Sequence, residues 1–83
     1  MALKDIMKYE PEMKRLQVSE VARSARGFLT EYKNASGDHR KLSAWWKITR
    51  TNFIKRHLVQ YKKHPTYRRL LALYAWAYDP STM

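Results

Sequence analysis

The sequence predicts an all-α fold, a compact bundle of three or four short helices. Three observations predict it: apolar residues recur at intervals of three and four, the few glycines and prolines fall near the ends of these segments, and capping residues precede several of them. The 83 residues suffice for one domain at most. Because the chain has no cysteine, helix packing and buried aromatic rings must stabilise it without disulfides.

The first helix is expected to begin at a proline. Pro11 suits the first helical position, where its missing amide hydrogen costs nothing. Met13, Leu16 and Val21 would form the apolar side of this helix. We therefore expect an N-terminal arm over residues 1–10, a single helical domain over 11–80 and a frayed tail over 81–83.

A second short helix is expected around Phe28 and Tyr32, with Ser24 as its N-cap. Gly37 readily adopts the left-handed conformation that follows many helices, so it is expected at the C′ position. Ser19 is an alternative cap, and one continuous helix through the first two segments is a further alternative.

The third helix is expected from the Ser43 cap to about Lys62, and it has two different sides. The core side also contains Lys47 and Arg50, and its apolar and aromatic members are Trp46, Phe53, Ile54, His57, Leu58 and Tyr61. The other side contains cations and apolar residues but no acid, and comprises Lys41, Trp45, Ile48, Asn52, Lys55, Arg56, Val59, Lys62 and Lys63.

The last helix is expected to open at Pro65, with His64 or Thr66 near the cap, and to end at Asp79–Pro80. Its buried stripe would be Tyr67, Leu70, Leu71, Tyr74 and Tyr78. Leu73 and Trp76 lie off that stripe, and a helix that is apolar almost all round is either buried on several sides or bound to a partner. The predicted core therefore comprises Trp46, Phe53, Ile54, Leu58, Tyr61, Leu70, Leu71, Tyr74, Phe28 and Leu29.

Charge is divided unequally along the chain. The first 38 residues hold seven Lys or Arg against six Asp or Glu, whereas the remaining 45 hold ten against one. Residues 39–78 contain no acid and eight of the eleven aromatic residues. A folded surface of one sign attracts polyanions. The chain is thus expected to be a basic protein that binds nucleic acid, either DNA or RNA, mainly through the phosphate backbone.

The basic side of the third helix is the best candidate surface, because a merely soluble helix usually interleaves both signs of charge. Its cations would meet phosphates, Asn52 would reach a base edge, and Trp45 would stack on an unpaired base. The alternative is a solvated basic side with Trp45 packed on the N-terminal segment. The predicted binding residues are Arg40, Lys41, Trp45, Asn52, Lys55, Arg56, Lys62, Lys63, Arg68 and Arg69.

Arg68 and Arg69 fall in the first turn of the last helix, where the helix dipole disfavours cations. Two arginines at this position indicate a bound anion such as a phosphate. The alternative is that both simply point into water.

No motif indicates catalysis, so we expect a protein that is not an enzyme and needs no metal or other cofactor. His57 is expected to be a buried, hydrogen-bonded histidine, while His39 and His64 flank cationic loops that would repel a metal ion. No apolar run approaches the roughly 18 residues of a membrane span. These features favour an intracellular location, in the cytoplasm, nucleoid or nucleus, or a place in a virion.

Several short stretches resemble small basic domains encoded by viruses and phages. They are Gly27–Lys33, Gly37-Asp38, Lys41-Leu42-Ser43 and Asn52–Leu58, which together span less than half of the chain. The resemblance implies a viral or mobile-element source, and no functional residue is carried over from it.

The alternative function is that of a small interaction or assembly factor, in a virion or directed at a host, that docks on an acidic protein surface. The apolar residues Leu73, Trp76 and Val59 would form its partner patch. A homodimer is also compatible with this sequence.

Overall fold

The structure is a computed structural model that describes residues 1–82; Met83, the last residue of the predicted tail, lies outside the described residues. It confirms the all-α class. The four helices are α1 (Leu3–Arg15), α2 (Phe28–Asn34), α3 (Ala44–Lys63) and α4 (Tyr67–Ala75), with short 3-10 turns at His39–Lys41 and Pro80–Thr82. The described chain contains no strand. It measures 32 × 25 × 21 Å along its principal axes.

The N-terminal segment is the main correction to the expected fold. Residues 3–10 are not an arm, because α1 begins at Leu3 and Pro11 lies inside it. Ile6 and Met13, seven residues apart on one side of the helix, are both fully buried. Burial of these two side chains offsets the hydrogen bond that a proline inside a helix removes.

The loop after α1 is held closely against the start of α2. Ser24 is not the N-cap of α2, because its hydroxyl donates to the Val21 carbonyl at 2.7 Å, and Gly27 occupies the cap position. A Cβ atom on Gly27 would lie 2.1 Å from the Val21 carbonyl oxygen, so no larger residue fits without moving the backbone. Val21 itself is exposed and does not extend the apolar side of the first helix.

Three helices end in the same hydrogen-bonded motif, and none has glycine at its left-handed C′ residue. Gln17, Ser36 and Ala77 have φ values of 55°, 55° and 59° after α1, α2 and α4. Gly37 therefore lies one position later than expected; it donates its amide to the Tyr32 carbonyl at 2.9 Å.

The observed start of α4 agrees with the prediction from the sequence more closely than its observed end. The Thr66 hydroxyl accepts from the Arg69 amide at 3.2 Å and caps the helix, with Pro65 just before the cap. The helix ends at Ala75, earlier than Asp79, because left-handed Ala77 turns the chain away. The predicted stripe is accordingly too long at both ends: Tyr67 is exposed and Tyr78 lies beyond the helix.

α4 is the centre of the bundle and packs against both α1 and α3. Leu71, Leu73 and Ala75 are fully buried, and Trp76 is 8% exposed. The apolar character around this helix therefore reflects burial on several sides. Leu73 and Trp76 are not a partner patch, which corrects the expectation on which the interaction-factor alternative was based.

α3 contributes less to the core than predicted. None of its 20 residues is buried. Trp46 and Phe53 pack against the core from its edge, whereas Ile54, Leu58 and Tyr61 are only half-buried and lie outside it. The physical reason is that α3 lies on the outside of the bundle. The core instead contains Ile6 and Met13 of α1, which the sequence prediction had not placed there.

A stack of aromatic rings joins three of the helices. The Trp76 ring stacks on Phe28 of α2 with centroids 4.9 Å apart and on Phe53 of α3 with centroids 4.3 Å apart. Phe53 also stacks on His57, at 3.8 Å. Such ring pairs contribute about 0.5–1.5 kcal/mol each beyond their buried area, so they help to hold the long outer helix in place.

Candidate nucleic-acid interface

The basic side of α3 faces away from the bundle. Ser43 caps the helix as predicted, its hydroxyl accepting from the Trp46 amide at 3.3 Å. The 20 residues of α3 extend for about 30 Å at the usual rise per residue. Every predicted binding residue on this helix is exposed, as are its two apolar neighbours, and the full set is Trp45, Ile48, Asn52, Lys55, Arg56, Val59, Lys62 and Lys63. We call these eight residues the outer face.

The cations of α3 lack acidic partners. Its sequence contains no Asp or Glu, and none of its Lys or Arg side chains forms an ion pair within the described part of the chain. The first 38 residues differ, since four of their six acids form ion pairs, with Lys8, Arg15, Lys33 and Arg40. No ion pair within residues 1–82 therefore offsets the positive charge of the outer face.

Trp45 is exposed but held in place. Its side chain is 64% exposed, and its ring meets that of Trp46 edge-on with centroids 4.6 Å apart. Trp46 in turn packs edge-on against buried Phe28 at 5.9 Å. The indole of Trp45 is therefore braced by the core instead of packing on the N-terminal segment.

Arg40 and Lys41 lie on the 3-10 turn before α3. The Arg40 guanidinium makes a double contact with Asp38, with Nε to Oδ1 and Nη2 to Oδ2 distances of 3.1 Å each. Hydrogen bonds from Arg40 lower the pKa of the Asp38 carboxyl. Lys41 lines a shallow groove that also contains Glu31 and Trp46. Both cations consequently lie near acids, unlike those of the outer face.

Arg68 and Arg69 donate to backbone carbonyls. Arg68 Nη1 donates to the Leu16 carbonyl at the end of α1, and Arg69 Nη1 donates to the His64 carbonyl at 2.8 Å. Both arginines therefore have a structural role, although they lie in the first turn of a helix, where the helix dipole disfavours positive charge. Each guanidinium has further N–H donors beyond the one used.

Arg50 has a structural role that sequence reasoning missed. Its Nε donates to the Trp76 carbonyl and its Nη2 to the Ala77 carbonyl, both at 2.8 Å, so it caps the C-terminal end of α4. Burial lowers the pKa of this guanidinium. Its place on the core side of α3, which it shares with Lys47, was the available signal, since a guanidinium that is partly buried there requires acceptors.

Two of the three histidines contact aromatic side chains of the fold. His57 is half-buried and stacks on Phe53, and burial followed by the charge of Arg56 lowers its pKa. His39 Nε2 lies 3.1 Å from the Tyr32 hydroxyl. Residues 1–82 contain no group of three His, Cys, Asp or Glu positioned to hold a metal ion. Over the same residues, no helix combines the length and the hydropathy needed to cross a membrane.

Comparisons of the chain with protein-family models, with curated proteins and with solved structures found no match.

Proposed function

We propose that this protein binds nucleic acid, DNA or RNA, through the outer face of α3 and mainly through the phosphate backbone. The observation that carries the proposal is that this face is exposed, contains no acid and has cations without ion-pair partners. A polyanion would replace the solvent ions that now compensate this charge, and release of counterions from the nucleic acid favours such binding.

The composition of the outer face supports contacts beyond simple charge attraction. Trp45 presents a braced aromatic ring beside the cations, and stacking of a base on such a ring contributes about 1–3 kcal/mol. Asn52 lies on the same side and carries both a donor and an acceptor for a base edge. Bases are available for stacking in single strands, so replacement of Trp45 by Ala should weaken single-strand binding more than duplex binding.

The salt dependence of binding tests the proposal. If the four cations of the outer face, Lys55, Arg56, Lys62 and Lys63, meet duplex phosphates, log K should fall against log salt with a slope of about −4. Fluorescence anisotropy with single- and double-stranded DNA and RNA across a salt series measures this slope. A flat salt dependence for every nucleic acid would contradict the proposal.

A matched pair of double variants locates the contacts. Lys55→Gln with Arg56→Gln removes two charges from the outer face and should reduce the magnitude of the slope by about 2. Lys4→Gln with Lys14→Gln removes the same charge from α1, where both lysines are exposed, and should leave the slope nearly unchanged. Equal effects of the two pairs would indicate attraction by net charge alone, without this interface.

The second candidate function is docking of the outer face on an acidic protein surface. It is favoured by the apolar members of the face, because Trp45, Ile48 and Val59 are 64%, 63% and 54% exposed. Large exposed apolar side chains are typical of protein interaction sites. Competition distinguishes the two: polyglutamate should displace a bound oligonucleotide poorly if nucleic acid is the ligand, and efficiently if the face recognises acidic protein.

A further inference from the structure

A cleft between three parts of the chain lies apart from the outer face. It has a volume of about 340 Å³ and opens between the turn after α1, the middle of α3 and the first turns of α4. Gln17, Val18 and Ser19 line it from the first part, Phe53, His57 and Gln60 from the second, and Arg68, Arg69 and Ala72 from the third. Its lining contains no carboxylate.

The polar groups of the cleft suit an anion. The lining residues carry two guanidinium groups, an imidazole, two side-chain amides and a hydroxyl, and all of these groups can donate hydrogen bonds. Arginine forks match phosphate and carboxylate oxygens. A metal cation is disfavoured here, since the two permanent charges repel it and no acid is present to bind it.

The two guanidinium groups are already oriented. One nitrogen of Arg68 is bonded to the Leu16 carbonyl and one nitrogen of Arg69 to the His64 carbonyl, so each side chain has lost part of its freedom before any ligand arrives. Prior ordering of this kind lowers the entropic cost of binding. The remaining N–H groups of each guanidinium provide donors for a ligand.

We propose that this cleft binds a phosphate monoester. A monoester carries close to two negative charges at neutral pH and three terminal oxygens, which matches two guanidinium groups better than a single carboxylate would. The ester could belong to a free mononucleotide or to the terminal phosphate of an oligonucleotide. The proposal does not depend on the outer face, which the cleft residues do not share.

NMR titration of the full chain with AMP tests this inference, with adenosine as the ligand that lacks the phosphate. We expect AMP to bind with a dissociation constant below about 1 mM and to shift the side-chain resonances of His57, Arg68 and Arg69. The His57 pKa should rise on binding, because a nearby anion favours the imidazolium. Equal responses to AMP and adenosine, or shifts confined to the outer face, would overturn the proposal.

Introduction of one negative charge into the cleft provides a second test, and the same chemical change outside the cleft provides its matched control. Alanine variants of Arg68 and Arg69 would also break the bonds to backbone carbonyls, so we choose Gln60→Glu, which places a carboxylate in the cleft at an exposed position. This variant should weaken AMP binding at least about tenfold. Asn34→Asp makes the same chemical change on α2, outside the cleft, and should leave binding unaltered. Unchanged affinity in Gln60→Glu would contradict the site.

Two further comparisons identify the source of the phosphate and separate this site from the outer face. A terminal-phosphate site predicts that a 5′-phosphorylated oligonucleotide binds more tightly than its 5′-hydroxyl counterpart and that Gln60→Glu removes the difference. A mononucleotide site predicts AMP binding with no such difference. Lys55→Gln with Lys62→Gln, two exposed positions of the outer face, should preserve AMP binding in either case, and its loss would overturn the assignment to the cleft.

Discussion

Arg50 joins α3 to the end of α4 by donating to two carbonyls that have no partner within the helix. Replacement by Met keeps the apolar stem but leaves the Trp76 carbonyl without its charged donor, and the Ala77 carbonyl with the N-terminal ammonium of Met1 at 3.4 Å. We expect Arg50→Met to lower the free energy of unfolding by about 1.5–3 kcal/mol, the range for hydrogen bonds to charged groups. Urea denaturation followed by far-UV circular dichroism measures the loss.

Lys47 provides the control for Arg50, since it lies one turn earlier on α3 and is exposed. Lys47→Met should change the free energy of unfolding by less than about 0.5 kcal/mol. If Arg50→Met were equally silent, its contacts with the end of α4 would not contribute to stability.

Gln17 has a φ of 55° and follows α1 in a conformation that side chains with a Cβ atom disfavour. Gly at this exposed position should relieve the strain, whereas Ala keeps it. We therefore expect Gln17→Gly to be more stable than Gln17→Ala by about 1 kcal/mol, a difference of several degrees in Tm for a domain of this size. Both variants lack the glutamine side chain, so the difference between their Tm values reports the backbone conformation. Equal Tm values would show that this turn is not left-handed.

At the scale of the helices, Pro11 distinguishes the observed α1 from the expected one. Inside a helix that begins at Leu3, proline removes a hydrogen bond to the Met7 carbonyl. Pro11→Ala should therefore stabilise the protein by about 1–3 kcal/mol, as measured by thermal and urea unfolding. In a helix that began at Pro11 itself, the same substitution would be neutral or slightly destabilising, and that outcome would contradict an α1 that begins at Leu3.

The two sides of α3 have different roles: one stabilises the fold and the other is the proposed binding surface. Its inner side holds Trp46, Arg50 and Phe53 against the end of α4 and the aromatic stack, and its outer face remains open to solvent. Variants of the outer face should consequently affect binding with little loss of stability. Variants of the inner side should do the reverse.

At the scale of the whole molecule, two half-buried histidines make stability depend on pH. Burial lowers the pKa of both His39 and His57 from the ordinary value of 6.5. The unfolded chain therefore binds these protons more readily than the folded one, and the free energy of unfolding falls as the pH drops below about 6.5. The loss is complete below the lowered folded-state pKa values. The carboxyl groups of Glu12 and Asp38, whose pKa values are also lowered, contribute only at more acidic pH.

Urea unfolding at several pH values between about 7 and 5 measures this dependence. Replacement of both His39 and His57 by Gln should flatten the profile over this range, and His64→Gln, at an exposed position, should leave it as it is in the parent chain. A parent profile without any decline would rule out the contribution of the two half-buried imidazoles.

The sequence by itself determined the features that depend on neighbours along the chain. These are the all-α class, the cap at Ser43 and the outward orientation of the basic side of α3, since hydrogen bonding at helix starts and helical periodicity are local properties. For α4 the sequence left His64 and Thr66 as alternative caps, and the structure shows Thr66. The binding role assigned to that side remains a prediction. Apolar residues at helical spacing, Leu3, Ile6 and Met7, also precede Pro11, but the preference of proline for helix starts predicted a helix that begins only at Pro11.

Only the tertiary structure decided which apolar side chains form the core and which arginine side chains donate hydrogen bonds to the backbone. Ile6 and Met13 fill volume that the sequence had assigned to Ile54, Leu58 and Tyr61. Arg50 and Arg68 find carbonyls 26 and 52 residues away, at the ends of other helices. The physical reason is that burial and long-range hydrogen bonding depend on which elements meet, and no spacing within a single helix specifies that.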